Sequence, residues 1–238
     1  MDDAQMPSEG LEHADGCGAG LDLAERRVVL FDFDGTLVNT GPCVIRACRA
    51  VLTAHGFTEE RMGDLSRFIG PPLIDCFRDT CGLTPAEAEA YVAEYRAVFD
   101  TFAPADYPLF PGVARLVDAL AAAGRTVAVA TSRLEPRAIE MARDLGLDRV
   151  ATIKGYRAPE RLSKADSIRD ALVELGARPA DAVMVGDRHH DVEGAAAFSI
   201  PCIGVCYSGT APEEFERAGA VLACDTVEEL AHALGVAW

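Results

Sequence analysis

The sequence predicts an α/β fold: a Rossmann-like, doubly wound parallel sheet core with a small helical cap domain inserted after the first strand. Three observations carry the prediction. Short apolar runs of strand type recur at 28–33 (VVLFDF), 127–131 (VAVAT), 182–186 (AVMVG) and 201–205 (PCIGV). Helix-period segments lie between them at 112–124, 135–146 and 165–176. Residues 41–108 carry helical patterns and no strand. Strands alternating with helices of this length make βαβ units and a parallel sheet.

The elements follow in order. The N-terminal stretch MDDAQMPSEGLEHADG is acidic and polar, and residues 1–26 read as a loose tail. It lacks the basic start and apolar centre of a secretory signal, which makes the cytoplasm the expected location. The first strand runs up to Asp32. Helices then follow in CVIRACRAVLTAHG, LIDCFRDTCG and TPAEAEAYVAEYRAVFDTF. Thr84 suits the N-cap of the last of these and Pro85 its first position. Glu87 and Glu89 stand near the positive end of its dipole. Pro104, Pro108 and Pro111 mark the return. The expected division is a core of 27–40 and 109–238 and a cap of 41–108. Gly124, Gly146 and Gly176 stand where the core helices need a left-handed C-terminal residue.

Composition narrows the partners. The chain has 238 residues, 50% hydrophobic and 25% charged, the balance of a globular protein. No apolar run approaches the roughly 18 residues that span a bilayer. A net charge of −16 repels nucleic-acid backbones and anionic lipid, so neither polymer nor membrane is an expected partner. A small phosphorylated metabolite is compatible with it, and the protein is expected as a monomer or homodimer. Of the eight cysteines none forms a C-x-x-C pair, and most sit in apolar stretches, as reduced thiols do.

In an open α/β sheet the ligand site lies beyond the carboxyl ends of the strands. Four such places carry chemistry. The first is Asp32-Phe33-Asp34-Gly35-Thr36-Leu37. Two carboxylates two residues apart on a strand point to one side. Phosphoryl transfer can use one as nucleophile and the other as acid and base. Gly35 allows a sharp turn that bares amides for a phosphate. The second is Thr131-Ser132, a hydroxyl and an amide able to hold phosphate oxygens, or an ordinary helix cap. The third is Lys164, a cation at a helix start, where the dipole disfavours it unless an anion faces it. Lys154 is the competing lysine. The fourth is Asp187 and Asp191, which share a helix face and repel each other unless a divalent cation intervenes. With Asp32 they offer oxygen ligands suited to Mg²⁺. His189 and His190 read as rim residues.

In this order, D-x-D-G-T-L, a strand-end Thr, a Lys and G-D-x-x-x-D resemble the four motifs of the haloacid dehalogenase superfamily. The resemblance covers nearly the whole chain after about residue 27. It implies Asp32 as nucleophile and Asp34 as acid and base, with the Asp34 backbone carbonyl on Mg²⁺. It implies that Thr131 and the Ser132 amide hold the phosphoryl group and that Lys164 bridges it to Asp32. Asp187 would ligate the metal and Asp191 would support it. The helical insert resembles the cap of the phosphoglycolate phosphatase and β-phosphoglucomutase branch. Arg67, Gly70, Pro71 and Arg78, around FIGPPL, are its candidate substrate contacts. The strings FIGPPL, LSKADSI and VMVGDRHHDVEGA are similar to bacterial 5′-nucleotidases and phosphoglycolate phosphatases. The expected function is thus Mg²⁺-dependent hydrolysis of a 5′-nucleotide or of phosphoglycolate. A mutase that retains all four sites stays open. A dehalogenase needs neither Asp34 nor a metal, and a phospho-accepting signalling module is about half this length and has no cap.

Overall fold

A computed structural model describes residues 22–238. Residues 1–21 of the expected tail lie outside the described residues. Leu23 packs against the core, and its carbonyl accepts from Arg125 Nη2 at 3.1 Å.

The chain opens with β1 (Val28–Phe31), every residue of which is buried. It then runs through four helices, α1 (Gly41–Ala54), α2 (Glu59–Met62), α3 (Leu73–Cys81) and α4 (Pro85–Phe99). The remainder alternates: α5 (Val113–Ala122), β2 (Thr126–Leu134), α6 (Glu135–Asp144), β3 (Val150–Tyr156), α7 (Lys164–Leu175), β4 (Ala182–Gly186), α8 (His189–Ala196), β5 (Cys202–Val205), α9 (Pro212–Ala218), β6 (Leu222–Cys224) and α10 (Val227–Ala233).

The six strands are all parallel, in the order β3-β2-β1-β4-β5-β6. Phe31 is flanked by Val129 of β2 and Val185 of β4. Alternate residues serve opposite faces, as the pleat requires. Val29, Phe31, Val127, Val129, Val183 and Val185 pack towards α5, α6 and α10. Leu30, Ala128, Ala130 and Met184 pack towards α7, α8 and α9. The chain winds one way from β1 to β3 and the other way from β4 onward. The direction reverses between β1 and β4, where such a sheet opens a crevice at its carboxyl edge.

Two strands go beyond the four apolar runs. β3 reads VATIKGY and is only half-buried, and β6 is three residues long at the sheet edge. Edge strands bury one face or less, so they lack the continuous apolar run of the central ones.

The cap leaves and re-enters the core through adjacent chain segments. Val38 bridges Leu109, Asn39 N donates to the Pro108 carbonyl at 2.8 Å, and Phe110 N donates to the Leu37 carbonyl at 3.0 Å. Within the cap, Phe77 packs edge-on to Phe68 and to Tyr95, and Tyr95 leans on Phe99. The cysteines among the described residues are free thiols. No helix among them is long and apolar enough to cross a membrane.

The main cap helix starts with a reciprocal box. Thr84 Oγ1 accepts from the Glu87 amide, and the Glu87 carboxylate accepts from the Thr84 amide at 2.8 Å. Thr84→Ala is expected to cost about 1 kcal/mol, read as a lowered thermal midpoint. Thr84→Asp should retain wild-type stability; equal losses in both variants would rule the cap out as the cause.

Candidate active site

The ends of four elements converge on the crevice. Asp32 follows β1 and is buried, and its amide donates to the Val185 carbonyl of β4 at 2.9 Å. Asp187 follows β4, and Asp191 lies in the first turn of α8; each is 1% exposed. Lys164 opens α7, where a second capping box, Ser163 with Asp166, fixes the helix start. Its Nζ lies 2.7 Å from Asp32 Oδ1 and 2.8 Å from Asp191 Oδ1, and donates to the Ala130 carbonyl at 3.0 Å. The lysine that the helix dipole disfavours is thus neutralised by two carboxylates. Gly194 makes room for its stem, since a β-carbon there would sit 2.7 Å from Lys164 Cγ.

The loop before Lys164 is pinned by Arg161. This buried guanidinium pairs with Glu135, donates to Asp170 Oδ2 at 3.2 Å and reaches the Gly155 carbonyl at 3.0 Å. Lys154, the competing lysine, pairs instead with Glu174 and stays away from the site.

Burial dominates the electrostatics. It pushes the Asp32 carboxyl up to about 7, against the pull of Lys164. It pushes Asp187 well above the ordinary carboxylate range, with the charges of Asp32 and Asp191 adding to the effect. Burial alone would lower Lys164, but its two carboxylate partners raise it, so the ammonium is firmly held. Both Asp187 oxygens are buried without a hydrogen-bond partner. Oxygen atoms of Asp32, Asp187 and Asp191 lie within 4.8 Å of one another. Orphaned, mutually repelling carboxylate oxygens are the donor set of a hard divalent cation, so the residues present fit the metal that the motifs imply.

Gly35 has φ +77°, and a β-carbon on it would lie 2.1 Å from Asp187 Oδ2. Its amide donates to the Val38 carbonyl at 2.9 Å. It is therefore spent inside the turn and does not serve as the expected phosphate donor; what Gly35 supplies is space. Tyr207 OH holds the same turn through the Thr36 carbonyl at 2.8 Å. Thr131 is buried inside β2, which runs three residues past the expected end to Leu134 with its register interrupted after Ala130, and its Oγ1 accepts from the Arg133 amide at 3.1 Å, which leaves the hydroxyl proton free to donate. Ser132 is exposed.

Asp34 is engaged by a residue that sequence reading missed. Arg133 forks onto it, Nε to Oδ2 at 2.8 Å and Nη2 to Oδ1 at 2.6 Å. Burial would raise the Asp34 carboxyl, but the guanidinium outweighs it and holds the carboxyl below its ordinary range. The only sequence signal was position, two residues after Thr131.

A cavity of about 320 Å³ opens beside Asp187, lined by Arg67, Ile69, Arg188, Thr210 and Glu214 among others. Arg188 spans it: Nε donates to Glu214 Oε1 at 3.0 Å, and Nη1 donates to the Ile69 carbonyl of the cap. Burial works against the Glu214 charge, yet the His189 amide and ring and Arg188 hold its carboxyl at about 2. His189 and His190 sit half-buried at the start of α8. Gly70 (φ +99°) lies against the Arg188 stem. Pro71 is half-buried and does not line the cavity. Arg78 is not brought to the cavity; it pairs with Asp75 and Asp79, at 3.0 and 3.1 Å, on the exposed side of α3. Near acidic neighbours on its own helix, its charge is satisfied locally.

The Asp187 geometry yields a stability prediction. A carboxyl whose folded-state value is raised costs nothing below the unfolded value of about 4, and its cost grows as pH rises above that. Asp187→Asn should therefore melt higher than wild type at pH 8 in EDTA, with the gap closing near pH 4. A variant that melts no higher at pH 8 would show that Asp187 is not strained.

Comparison with known proteins gives the family. Residues 29–205 match the family model described as haloacid dehalogenase-like hydrolase. A 5′-nucleotidase of Pseudomonas aeruginosa is 36% identical over 78% of this chain and 85% of its own. The tyrosine-protein kinase PtkA of Mycobacterium tuberculosis is 34% identical over 88% of this chain and 73% of its own. Among solved structures, a predicted phosphatase from Clostridium acetobutylicum superposes with a TM-score of 0.80 at 29% identity, covering 87% of this chain and 97% of that one. The chain belongs to the haloacid dehalogenase-like hydrolase family.

Proposed function

We propose that this phosphatase hydrolyses a small phosphomonoester, a 5′-nucleotide or phosphoglycolate, through an aspartyl-phosphate formed on Asp32. The observation that carries the reading is the Asp32 carboxylate, bridged by Lys164 and set beside the orphaned Asp187 oxygens at the switch point of the sheet. The name of the Pseudomonas relative supports the nucleotide, and the family resemblance of the cap supports phosphoglycolate.

In the first step an Asp32 oxygen bonds to phosphorus, the bond to the ester oxygen breaks, and protonated Asp34 gives its proton to that oxygen. In the second, water attacks phosphorus, Asp34 takes the proton, the Asp32–phosphorus bond breaks and phosphate leaves. Lys164 neutralises the phosphoryl group and keeps Asp32 oriented. The Thr131 hydroxyl donates to a phosphoryl oxygen, with the Ser132 amide beside it. Mg²⁺ would be held by Asp32, Asp187 and the Asp34 carbonyl, with Asp191 in support. Its charge screens the anionic nucleophile from the anionic ester. The cap supplies Arg67 to the leaving-group side and excludes water. An acidic chain with free thiols suits the cytoplasm.

Phosphate release from a panel of 5′-nucleotides, phosphoglycolate, sugar phosphates, phosphotyrosine and p-nitrophenyl phosphate tests the substrate. Asp32→Asn and EDTA should each reduce release to background, the variant remaining folded with a cooperative melt. Turnover by Asp32→Asn near the wild-type rate would sink the mechanism, and full activity in EDTA would sink the metal. Mg²⁺ should raise the wild-type thermal midpoint and leave that of Asp187→Asn unchanged.

A further inference from the structure

Arg133 reaches the acid and base of the site from a position to which no motif assigns a role. Both Asp34 oxygens accept from its fork, and the two side chains are only 12% and 17% exposed. The guanidinium carbon also lies 4.5 Å from the centroid of the Phe99 ring. Phe99 is the last residue of α4, 2% exposed, and is packed against Tyr95 and Tyr107. The cation is therefore held by a carboxylate of the core and an aromatic face of the cap. The amide of the same residue donates to Thr131 Oγ1, so one residue anchors both the proton carrier and the phosphate-holding hydroxyl.

A bidentate guanidinium holds both carboxylate oxygens and so fixes the group in one orientation. A water can lose its proton as it attacks phosphorus only to a carboxylate already aimed at it. We propose that Arg133 is the positioning residue that holds Asp34 as the base of the second step, with Phe99 of the cap completing its seat. The proposal rests on the aspartyl-phosphate reading. In the step concerned, the water oxygen bonds to phosphorus, its proton passes to Asp34, and the Asp32–phosphorus bond breaks, restoring the Asp32 carboxylate and releasing phosphate. The proton that Asp34 lost to the leaving group is thereby replaced, and no other reactant is consumed. With p-nitrophenyl phosphate the first step does not depend on that aim, because nitrophenolate leaves without taking a proton.

The test separates the two steps. The full chain with Mg²⁺ is mixed rapidly with p-nitrophenyl phosphate, nitrophenolate is followed, and acid-quenched samples are weighed for covalent phosphate. In Arg133→Met, a near-stoichiometric burst should persist at the wild-type rate. Steady turnover should fall about 10²-fold, the low end of what a general base contributes, and the phosphorylated chain should accumulate. Arg133→Lys should restore part of the turnover, and Phe99→Leu should show the same pattern more weakly. Burst and steady rate falling together would reduce Arg133 to a structural ion pair and overturn the proposal, as would turnover within about threefold of wild type. Arg133→Lys decides the matter if the methionine variant does not fold. Asp32→Asn runs alongside. If it turns over, or if wild type releases no nitrophenolate, the aspartyl-phosphate reading itself fails. If it is silent and the Arg133 variants show no burst, only the assignment of Arg133 fails.

Discussion

Three carboxylates share one buried crevice with a single lysine, and the surrounding architecture answers to that crowding. Asp32, Asp187 and Asp191 are each nearly or fully out of solvent. Moving a charge out of water is costly unless a partner stands within a few ångströms. Lys164 is that partner for two of them. Its position depends on the Ser163 capping box, on the Arg161 anchor before it, and on the absence of a side chain at Gly194. Asp187 has no such partner, and both of its oxygens are orphaned. Natural proteins seldom leave a buried polar group unpaired, and those that do so tend to bind something there.

The sheet topology is what makes this crowding possible. Asp32 and Asp187 end neighbouring strands, β1 and β4, from which the chain winds in opposite directions. No crossover helix covers that point, so two strand-end carboxylates stand side by side in an open crevice. Two helices on one face of the sheet then deliver the remaining groups. α7 brings Lys164, and α8 brings Asp191.

The cap is tied to the same crevice by arginines at both sides. Arg188, next to Asp187, reaches the Ile69 carbonyl, and Arg133, next to Thr131 and Ser132, lies against Phe99. Both guanidiniums also hold a carboxylate, Glu214 in one case and Asp34 in the other. A displacement of the cap thus acts on residues adjacent to Asp187 and to Thr131. Arg is suited to this work because its planar fork can bind a carboxylate while its face stacks on an aromatic ring.

The fold class, the inserted helices and the four motif positions were legible in the sequence because each is a local signal. A buried central strand must be apolar throughout, a helix start needs a cap, and strand-end aspartates stand out against apolar neighbours. The edge strands β3 and β6 were not legible, since a half-buried strand such as VATIKGY carries no continuous apolar run. Side-chain pairing was legible least of all. Lys164 and Lys154 are both lysines in the same region, and only the fold puts one against Asp32 and the other against Glu174. Arg67 lines the cavity while Arg78 is held by Asp75 and Asp79, acidic neighbours that its local sequence already offered. Asp34 and its partner Arg133 lie ninety-nine residues apart in the chain. The sequence by itself determined which chemical groups stand at the strand ends, because secondary structure follows from near-neighbour periodicity. Which cation meets which carboxylate was decided only by tertiary structure, because ion pairing depends on distances across the sheet and between cap and core.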